Sequence, residues 1–122
     1  MVEQVWRIGR ETGLVDVFPV GAVSIGLHGE ALAELGAMAA SAAGVTVFSD
    51  DGYCVFDPLL MRRALEYVKT FDGVIAQHAQ DPRLTQDAQM NEGELSGILG
   101  LTGWPAVAEE AIIARDVLLA LH

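Results

Sequence analysis

Two side chains that could share a metal ion lie twenty-seven positions apart in this sequence. Asp51 follows an apolar run in the segment VTVFSDDG, and His78 ends a second apolar run in the segment GVIAQH. One strand–helix–strand unit takes roughly 30 residues, so both side chains are expected at the carboxyl ends of consecutive parallel strands. Neighbouring strands lie about 4.8 Å apart, and a carboxylate and an imidazole at that separation can reach one cation. The spacing therefore indicates a candidate metal site made of Asp51 and His78.

Each of these residues also has a simpler interpretation. The sequence Asp-Asp-Gly is common in tight turns, where an aspartate side chain bonds its own backbone. A single histidine at a strand end is often only a hydrogen-bonded residue of the sheet rim. Two ligands are also fewer than the three or four protein groups that hold zinc. Asp50 and Asp81 lie close in sequence, and we expect that they could orient the site as hydrogen-bond partners of the ligands.

The other reactive side chains are weaker candidates. Cys54 is the only cysteine, and no histidine is placed to activate it, so a buried or unreactive thiol is expected. His28 falls in a glycine-rich loop and should be solvated, whereas His122 is terminal. The only lysine, Lys69, falls near a helix end, where it complements the helix dipole. The segment 21–29 lacks the glycine spacing of a phosphate-binding loop.

Alternating helical and strand patterns predict an α/β fold with parallel strands. The predicted elements are, in order, helix 2–12, strand 14–18, helix 30–42, strand 45–48, a helix from Pro58, strand 73–78 and a helix from Pro105. The segment 20–29 is left open between a short strand and a loop, and 83–103 is predicted as a loop with one helical turn near 94–99. The last helix is predicted to bury Val107, Ala111, Ala114, Leu118 and Leu121. Arg115 in that helix is interpreted as a surface or inter-helix contact.

Only three strands are secure in this pattern, which would leave both edges of the sheet unpaired. A slice of a larger repeating α/β structure is the simplest explanation. Exposed edges of this kind also make self-association of the chain possible.

Composition narrows the classes of function. The chain has 122 residues, of which 52% are hydrophobic, and this is enough for one packed domain. Its net charge of -10 disfavours binding to nucleic acids and to anionic membrane surfaces. No apolar run approaches the ~20 residues of a membrane span. The single cysteine and the absence of a signal-peptide pattern lead us to expect a cytoplasmic protein.

Four segments in combination resemble one known family. The segments VFSDDG, PLLMRRALEY, VIAQHAQD and GWPAVAEEAIIARDVLLA resemble the middle of bacterial dihydroorotases, which belong to the amidohydrolase superfamily of (β/α)8 metal hydrolases. The resemblance implies a zinc enzyme of pyrimidine synthesis, with one or two zinc ions in a complete site. Its small-molecule substrates would be N-carbamoyl-L-aspartate and dihydroorotate, interconverted by closing or opening a cyclic amide.

The resemblance also implies roles for two residues. In this family the second acid of the SDDG motif bridges two metal positions, where relatives use a carbamylated lysine, and that acid is Asp51. The histidine that ends the next strand is a metal ligand, and here it is His78. The family's HxH pair, its further histidine ligand, its catalytic aspartate and its substrate-binding arginine and asparagines have no counterpart in this chain.

A complete barrel needs roughly 250 residues. We therefore expect residues 1–122 to be a single segment from the centre of such an enzyme. This partial TIM barrel would hold about three βα units, would contain no catalytic residue and would be inactive alone. Two alternatives stay open. One is a non-catalytic α/β binding or regulatory module, such as a receiver domain. The other is a pseudoenzyme that assembles with a full-length partner.

Overall fold

The structure is a computed structural model that describes all 122 residues, from Met1 to His122. Five α-helices are present: α1 Val2–Thr12, α2 Leu35–Ala39, α3 Pro58–Val68, α4 Glu94–Leu99 and α5 Val107–Ala120. Four short strands alternate with them: β1 Val47–Phe48, β2 Val74–Ile75, β3 Met90–Asn91 and β4 Gly103–Trp104. All pairing between these strands is parallel, which confirms the predicted α/β class.

The main sheet brings three parts of the chain side by side. β1 pairs with β2 in the register Phe48 to Ile75, and Gly21 forms a parallel bridge to the other side of Phe48. A Cβ atom on Gly21 would lie only 2.7 Å from the ring of Phe48, so glycine is required where the backbone crosses this ring. The buried ring of Phe48 thus lies at the centre of the sheet.

The predicted strand at 14–18 is wrong in position, because pairing occurs at Gly21 and not before Pro19. Leu14 and Val15 are exposed and pair with no neighbouring strand. Their β-branched and aliphatic character favours a strand, but a strand also needs a partner for its backbone groups. Only the tertiary arrangement supplies that partner, and it does so several residues later in the chain.

A second, separate sheet was not predicted. β3 pairs with β4, and this pairing is extended by hydrogen bonds from Gln89 N–H to the Thr102 carbonyl at 2.9 Å and from Glu92 N–H to the Trp104 carbonyl at 2.9 Å. Two-residue strands carry no alternating pattern, so the sequence offered no signal for them. The predicted helical turn between them is confirmed as α4.

Helix α3 follows its prediction closely. Pro58 occupies the first turn, and the Asp57 carboxylate accepts a hydrogen bond from the Leu60 N–H at 2.7 Å, as expected of an N-cap. The helix packs its apolar face on the sheet through Met61, Ala64 and Val68, while Leu65 is only partly buried. The buried core comprises Val23, Leu35, Val45, Phe48, Val55, Leu60, Met61, Ala64 and Val68.

Two other helices differ from their predictions. Helix α2 begins at Leu35 rather than Glu30, because the preceding residues form a bridge from Ser24 to Leu32. Helix α5 buries Ala108 and Ile112, whereas all five residues of its predicted stripe are exposed, so that prediction is wrong. Apolar residues surround the whole circumference of α5, so their spacing does not single out one face. No helix in the structure combines the length and the apolar character that crossing a lipid bilayer requires.

Candidate functional site

Asp51 and His78 lie at the same edge of the main sheet. Phe48 is paired with Ile75. Asp51 lies three residues after Phe48, and His78 lies three residues after Ile75. The two side chains therefore project from equivalent points, and Asp51 Oδ1 lies 3.6 Å from His78 Nδ1. The Asp51 side chain is 91% exposed and that of His78 is 33% exposed. The carboxylate is thus open to a ligand that the imidazole can also reach.

The turn after β1 is tight. Gly52 has a φ of 90°, a backbone conformation that favours glycine. The Tyr53 N–H bonds the Asp50 carbonyl at 2.8 Å. Neither aspartate of the motif uses its side chain to bond this turn. The simple turn interpretation of Asp-Asp-Gly therefore accounts for the glycine but not for the two carboxylates.

Asp50 is buried and faces away from His78. Its Oδ1 accepts hydrogen bonds from the Val23 N–H at 2.8 Å and the Ser24 N–H at 3.0 Å. Its Oδ2 accepts a short hydrogen bond from the Ser24 hydroxyl, and that hydroxyl in turn accepts from the Gly29 N–H at 2.8 Å. Asp50 therefore ties the chain after Gly21 to the end of β1. Its carboxylate bonds Val23 and Ser24, and not Asp51 or His78 as its place in the sequence suggested.

The hydrogen-bond partner of His78 is Gln80 rather than Asp81. His78 Nε2 lies 2.7 Å from Gln80 Oε1, and Gln80 Nε2 donates to the Thr85 hydroxyl at 2.8 Å. The Asp81 carboxylate instead accepts from the backbone N–H groups of residues 83–84. The expectation that Asp81 orients the site is therefore wrong, because its side chain caps the turn that follows it.

A set of polar side chains holds the loop after Asp51. We call Gln77, Arg115 and Asp116 the Val55 clamp, because Gln77 and Arg115 bind the backbone of Val55 and Asp116 binds both of them. From the sequence, Arg115 is interpreted as a surface or inter-helix contact, but its side chain is only 20% exposed and donates to the backbone of the loop before α3. Sequence reasoning missed this clamp because adjacent residues of a helix do not share a face, and nothing local marks Arg115 and Asp116 as partners of a distant loop.

A cavity of about 600 Å³ opens in front of the site. It is lined by Val20, Val47, Ser49, Asp51, Ala76, Gln77, His78, Ala79, Gln80, Trp104 and Glu109. No group of three or more His, Cys, Asp or Glu side chains that could hold a metal ion is present in the structure. The chain thus presents two of the residue types that bind metals, at the floor of an open cavity.

Cys54 is half-buried beside the Val55 clamp. Burial raises the pKa of its thiol, and a backbone hydrogen bond with Gln80 and the positive charge of Arg115 offset only part of that rise. His28 is exposed, as expected for a loop residue. No feature around Cys54 therefore favours the thiolate strongly enough to make it a nucleophile.

Alkylation of Cys54 by iodoacetamide should be several-fold slower in the folded chain than in the chain unfolded by urea at pH 8. The raised pKa leaves less thiolate in the folded state, and partial burial limits access. The alkylation rate should increase with pH in both states, and the midpoint of this increase should lie at a higher pH in the folded chain than in the unfolded chain. Because the pKa of the thiol is higher in the folded state, ionisation of Cys54 favours the unfolded state. The free energy of unfolding should therefore decrease as pH rises above the unfolded-state pKa of the thiol. Equal rates in both states would contradict this prediction.

The fold and site together define an α/β protein that gathers polar side chains where its parallel strands end, the usual position of ligands in such sheets. A family model described as "Dihydro-orotase-like" matches residues 2–121. The chain therefore belongs to the dihydroorotase-like family.

Similar proteins agree with this membership. The chain is 72% identical over 122 residues to a protein named dihydroorotase from Streptomyces coelicolor, and 74% identical over 122 residues to one from Leifsonia xyli. It is 58% identical over 120 residues to the dihydroorotase of Mycobacterium tuberculosis. These matches cover 98–100% of this chain but only 28% of each relative. The family membership sets aside the receiver-domain alternative.

Proposed function

We propose that the chain supplies Asp51 and His78 to the metal centre of a dihydroorotase. The observation that carries this proposal is the identity of 58–74% to proteins named dihydroorotase over nearly the whole chain. The 3.6 Å approach of the two side chains supports it, because it is the arrangement that joint binding of one ion requires.

The chain would form the central part of a (β/α)8 barrel. Its parallel main sheet, with helix α3 packed on one side, fits about three consecutive βα units. The carboxyl ends of the strands carry the active site in such barrels, and Asp51 and His78 lie at those ends. We propose that residues 1–122 act as a single segment of this barrel.

The two residues fit a zinc site by their chemistry. Zinc binds carboxylate oxygen at about 2.0–2.2 Å and histidine nitrogen at about 2.0–2.1 Å. Ligand atoms 3.6 Å apart can therefore bind one ion. Asp51 is open to solvent and has a second oxygen, which suits a carboxylate that bridges two ions. A bound zinc ion would polarise the amide carbonyl and lower the pKa of the attacking water. The remaining ligands would come from outside this chain.

The reaction would be hydrolysis of a cyclic amide and its reverse. Water oxygen bonds to the carbonyl carbon of dihydroorotate, the ring C–N bond breaks, and the released nitrogen takes a proton to give N-carbamoyl-L-aspartate. In this chain, Gln80 would hold the His78 ring through Nε2 and leave Nδ1 facing Asp51. The cavity in front of both residues would admit the substrate.

We further propose a cytoplasmic location, where Cys54 would remain reduced. The main sheet has unpaired edges at Gly21 and at β2, and Val74 on β2 is 57% exposed. In a complete barrel these edges would meet the neighbouring strands, whereas in the isolated chain they would favour self-association.

A hybrid enzyme tests this function. Residues 1–122 would replace the matched segment of the Streptomyces coelicolor dihydroorotase, and hydrolysis of dihydroorotate would be followed by its ultraviolet absorbance. We expect turnover within about tenfold of the parent, because substitutions away from buried or paired groups usually change stability by less than about 0.5 kcal/mol. The isolated chain should show none. A hybrid that folds and binds zinc but does not turn over dihydroorotate would contradict the proposal and would favour a pseudoenzyme.

A further inference from the structure

Asp51 is held from two sides, by the hydrogen bonds of Asp50 before it and by the loop 52–56, which connects it to helix α3. The first residues of this loop, Gly52 and Tyr53, are exposed and contribute no packing to the core. Val55 is the first buried residue after the motif, at 1% exposure. On the C-terminal side, the position of Asp51 therefore depends on how firmly Val55 is held.

Gln77 binds both backbone polar groups of Val55. Its Oε1 accepts from the Val55 N–H at 3.0 Å, and its Nε2 donates to the Val55 carbonyl at 3.1 Å. The side-chain amide thus takes the place that a neighbouring strand would have, which matters because buried backbone groups without a partner are costly. Gln77 immediately precedes His78, so this contact joins the two halves of the candidate site.

Helix α5 completes the clamp from the other side. Arg115 donates through Nη2 to the Val55 carbonyl at 2.9 Å and through Nη1 to the Phe56 carbonyl at 2.6 Å. The Asp116 carboxylate binds the Arg115 guanidinium at 2.6 Å and also accepts from Gln77 Nε2 at 3.1 Å. Both charged side chains are largely buried, at 20% and 18% exposure, so water screens their interaction only in part.

We infer that Gln77, supported by Arg115 and Asp116, is a positioning residue that holds the Asp51 carboxylate opposite the His78 imidazole. The inference rests on the proposed function only where it concerns metal binding. Only Gln77 and Arg115 bond the backbone of Val55 through their side chains, so the clamp is what holds the backbone of the loop to the segment after β2. The buried Val55 side chain also anchors the loop to the core.

The test uses the full 122-residue chain labelled for nuclear magnetic resonance. Gln77→Leu should raise the exchange rate of the Val55 amide proton about five- to tenfold, the effect of losing one ordinary hydrogen bond. It should also weaken the nuclear Overhauser contacts between the Asp51 β-protons and the His78 ring. Zinc chloride, titrated into the chain, should bind about tenfold more weakly, as changes behind metal ligands usually cause.

Two further variants separate positioning from general damage to the fold. Gln77→Glu places a carboxylate 3.1 Å from that of Asp116, so like charges should open the clamp and produce the same changes more strongly. Adding Asp116→Asn to it removes the like charge, but a carboxylate at position 77 still cannot donate to the Val55 carbonyl. All three measurements should therefore return only part of the way to those of the wild-type chain. The matched control is Gln86→Leu, since Gln86 is exposed and lies outside the clamp.

Results that test the role of Gln77 can be distinguished from results that test the proposed metal site. Unchanged Val55 exchange and unchanged Asp51–His78 contacts in Gln77→Leu would overturn the inference. A double variant whose measurements lie no closer to the wild-type values than those of Gln77→Glu would also overturn it. If the wild-type chain alone binds no zinc, that result agrees with ligands supplied from outside this chain. The hybrid enzyme then tests the proposed function, and the proton contacts still decide whether Gln77 positions Asp51.

Discussion

Replacing Asp51 or His78 by alanine in the hybrid enzyme is expected to lower kcat/KM for dihydroorotate by at least about a thousandfold. Changes to groups behind metal ligands already cost roughly 10–100-fold, and removal of a ligand should cost more. If Asp51 bridges two ions, Asp51→Ala should also reduce the zinc content of the purified hybrid, measured by atomic emission. His78→Ala should reduce it as well, because it removes a ligand nitrogen.

Matched controls for these variants are Asp16→Ala and His122→Ala. Both residues are exposed, and neither contacts the edge of the sheet where Asp51 lies. These two hybrids should keep the activity and zinc content of the unchanged hybrid. Asp51→Asn is a further variant that keeps the shape of the side chain but loses its charge, and it should resemble Asp51→Ala. Full activity with full zinc content in Asp51→Ala would show that Asp51 is not a ligand.

Asp50→Ala is expected to destabilise the chain strongly. It removes the acceptor of three hydrogen bonds and leaves the Val23 and Ser24 N–H groups buried without a partner. Each unsatisfied buried group costs about 1–3 kcal/mol, so the free energy of unfolding should fall by about 3–5 kcal/mol. Urea denaturation of the chain, followed by circular dichroism, measures this loss.

The chemistry of Asp50 suggests graded effects. Asp50→Asn keeps one oxygen that can accept from Val23 and Ser24, so it should cost only about 1–2 kcal/mol. Asp16→Ala, which removes an exposed carboxylate, should change stability by less than about 0.5 kcal/mol. A free energy of unfolding for Asp50→Ala that equals that of Asp16→Ala would show that the buried carboxylate does not stabilise the sheet.

The positions of Asp51 and His78 could be predicted from the sequence, whereas the different orientations of Asp50 and Asp51 could not. Spacing alone assigned Asp51 and His78 to one edge of the sheet, because strand ends recur at a known interval in βαβ units. Which of two adjacent carboxylates faces inward depends on the neighbouring strand. The two N–H groups that turn Asp50 inward belong to Val23 and Ser24, more than twenty residues earlier in the chain.

Local chemistry determined helix starts and ends in a similar way. Asp57 and Pro58 define the start of α3, and Gly13 ends α1 in the left-handed conformation, because caps depend only on residues within one turn. The buried face of α5 could not be obtained by the same reasoning. Its sequence is apolar on every side, so the choice of Ala108 and Ile112 rests on what packs against it.

By itself, the sequence determined the α/β class, the parallel pairing of the strands around β1, the start of α3 and the pair Asp51 and His78. These features follow from local preferences and from a repeat length that the chain carries in its own residues. Only the tertiary structure decided the inward turn of Asp50, the contact of Gln80 with His78 and the Val55 clamp. Each of these joins residues through a hydrogen bond whose partner is set by packing, and no local pattern in the chain encodes that partner.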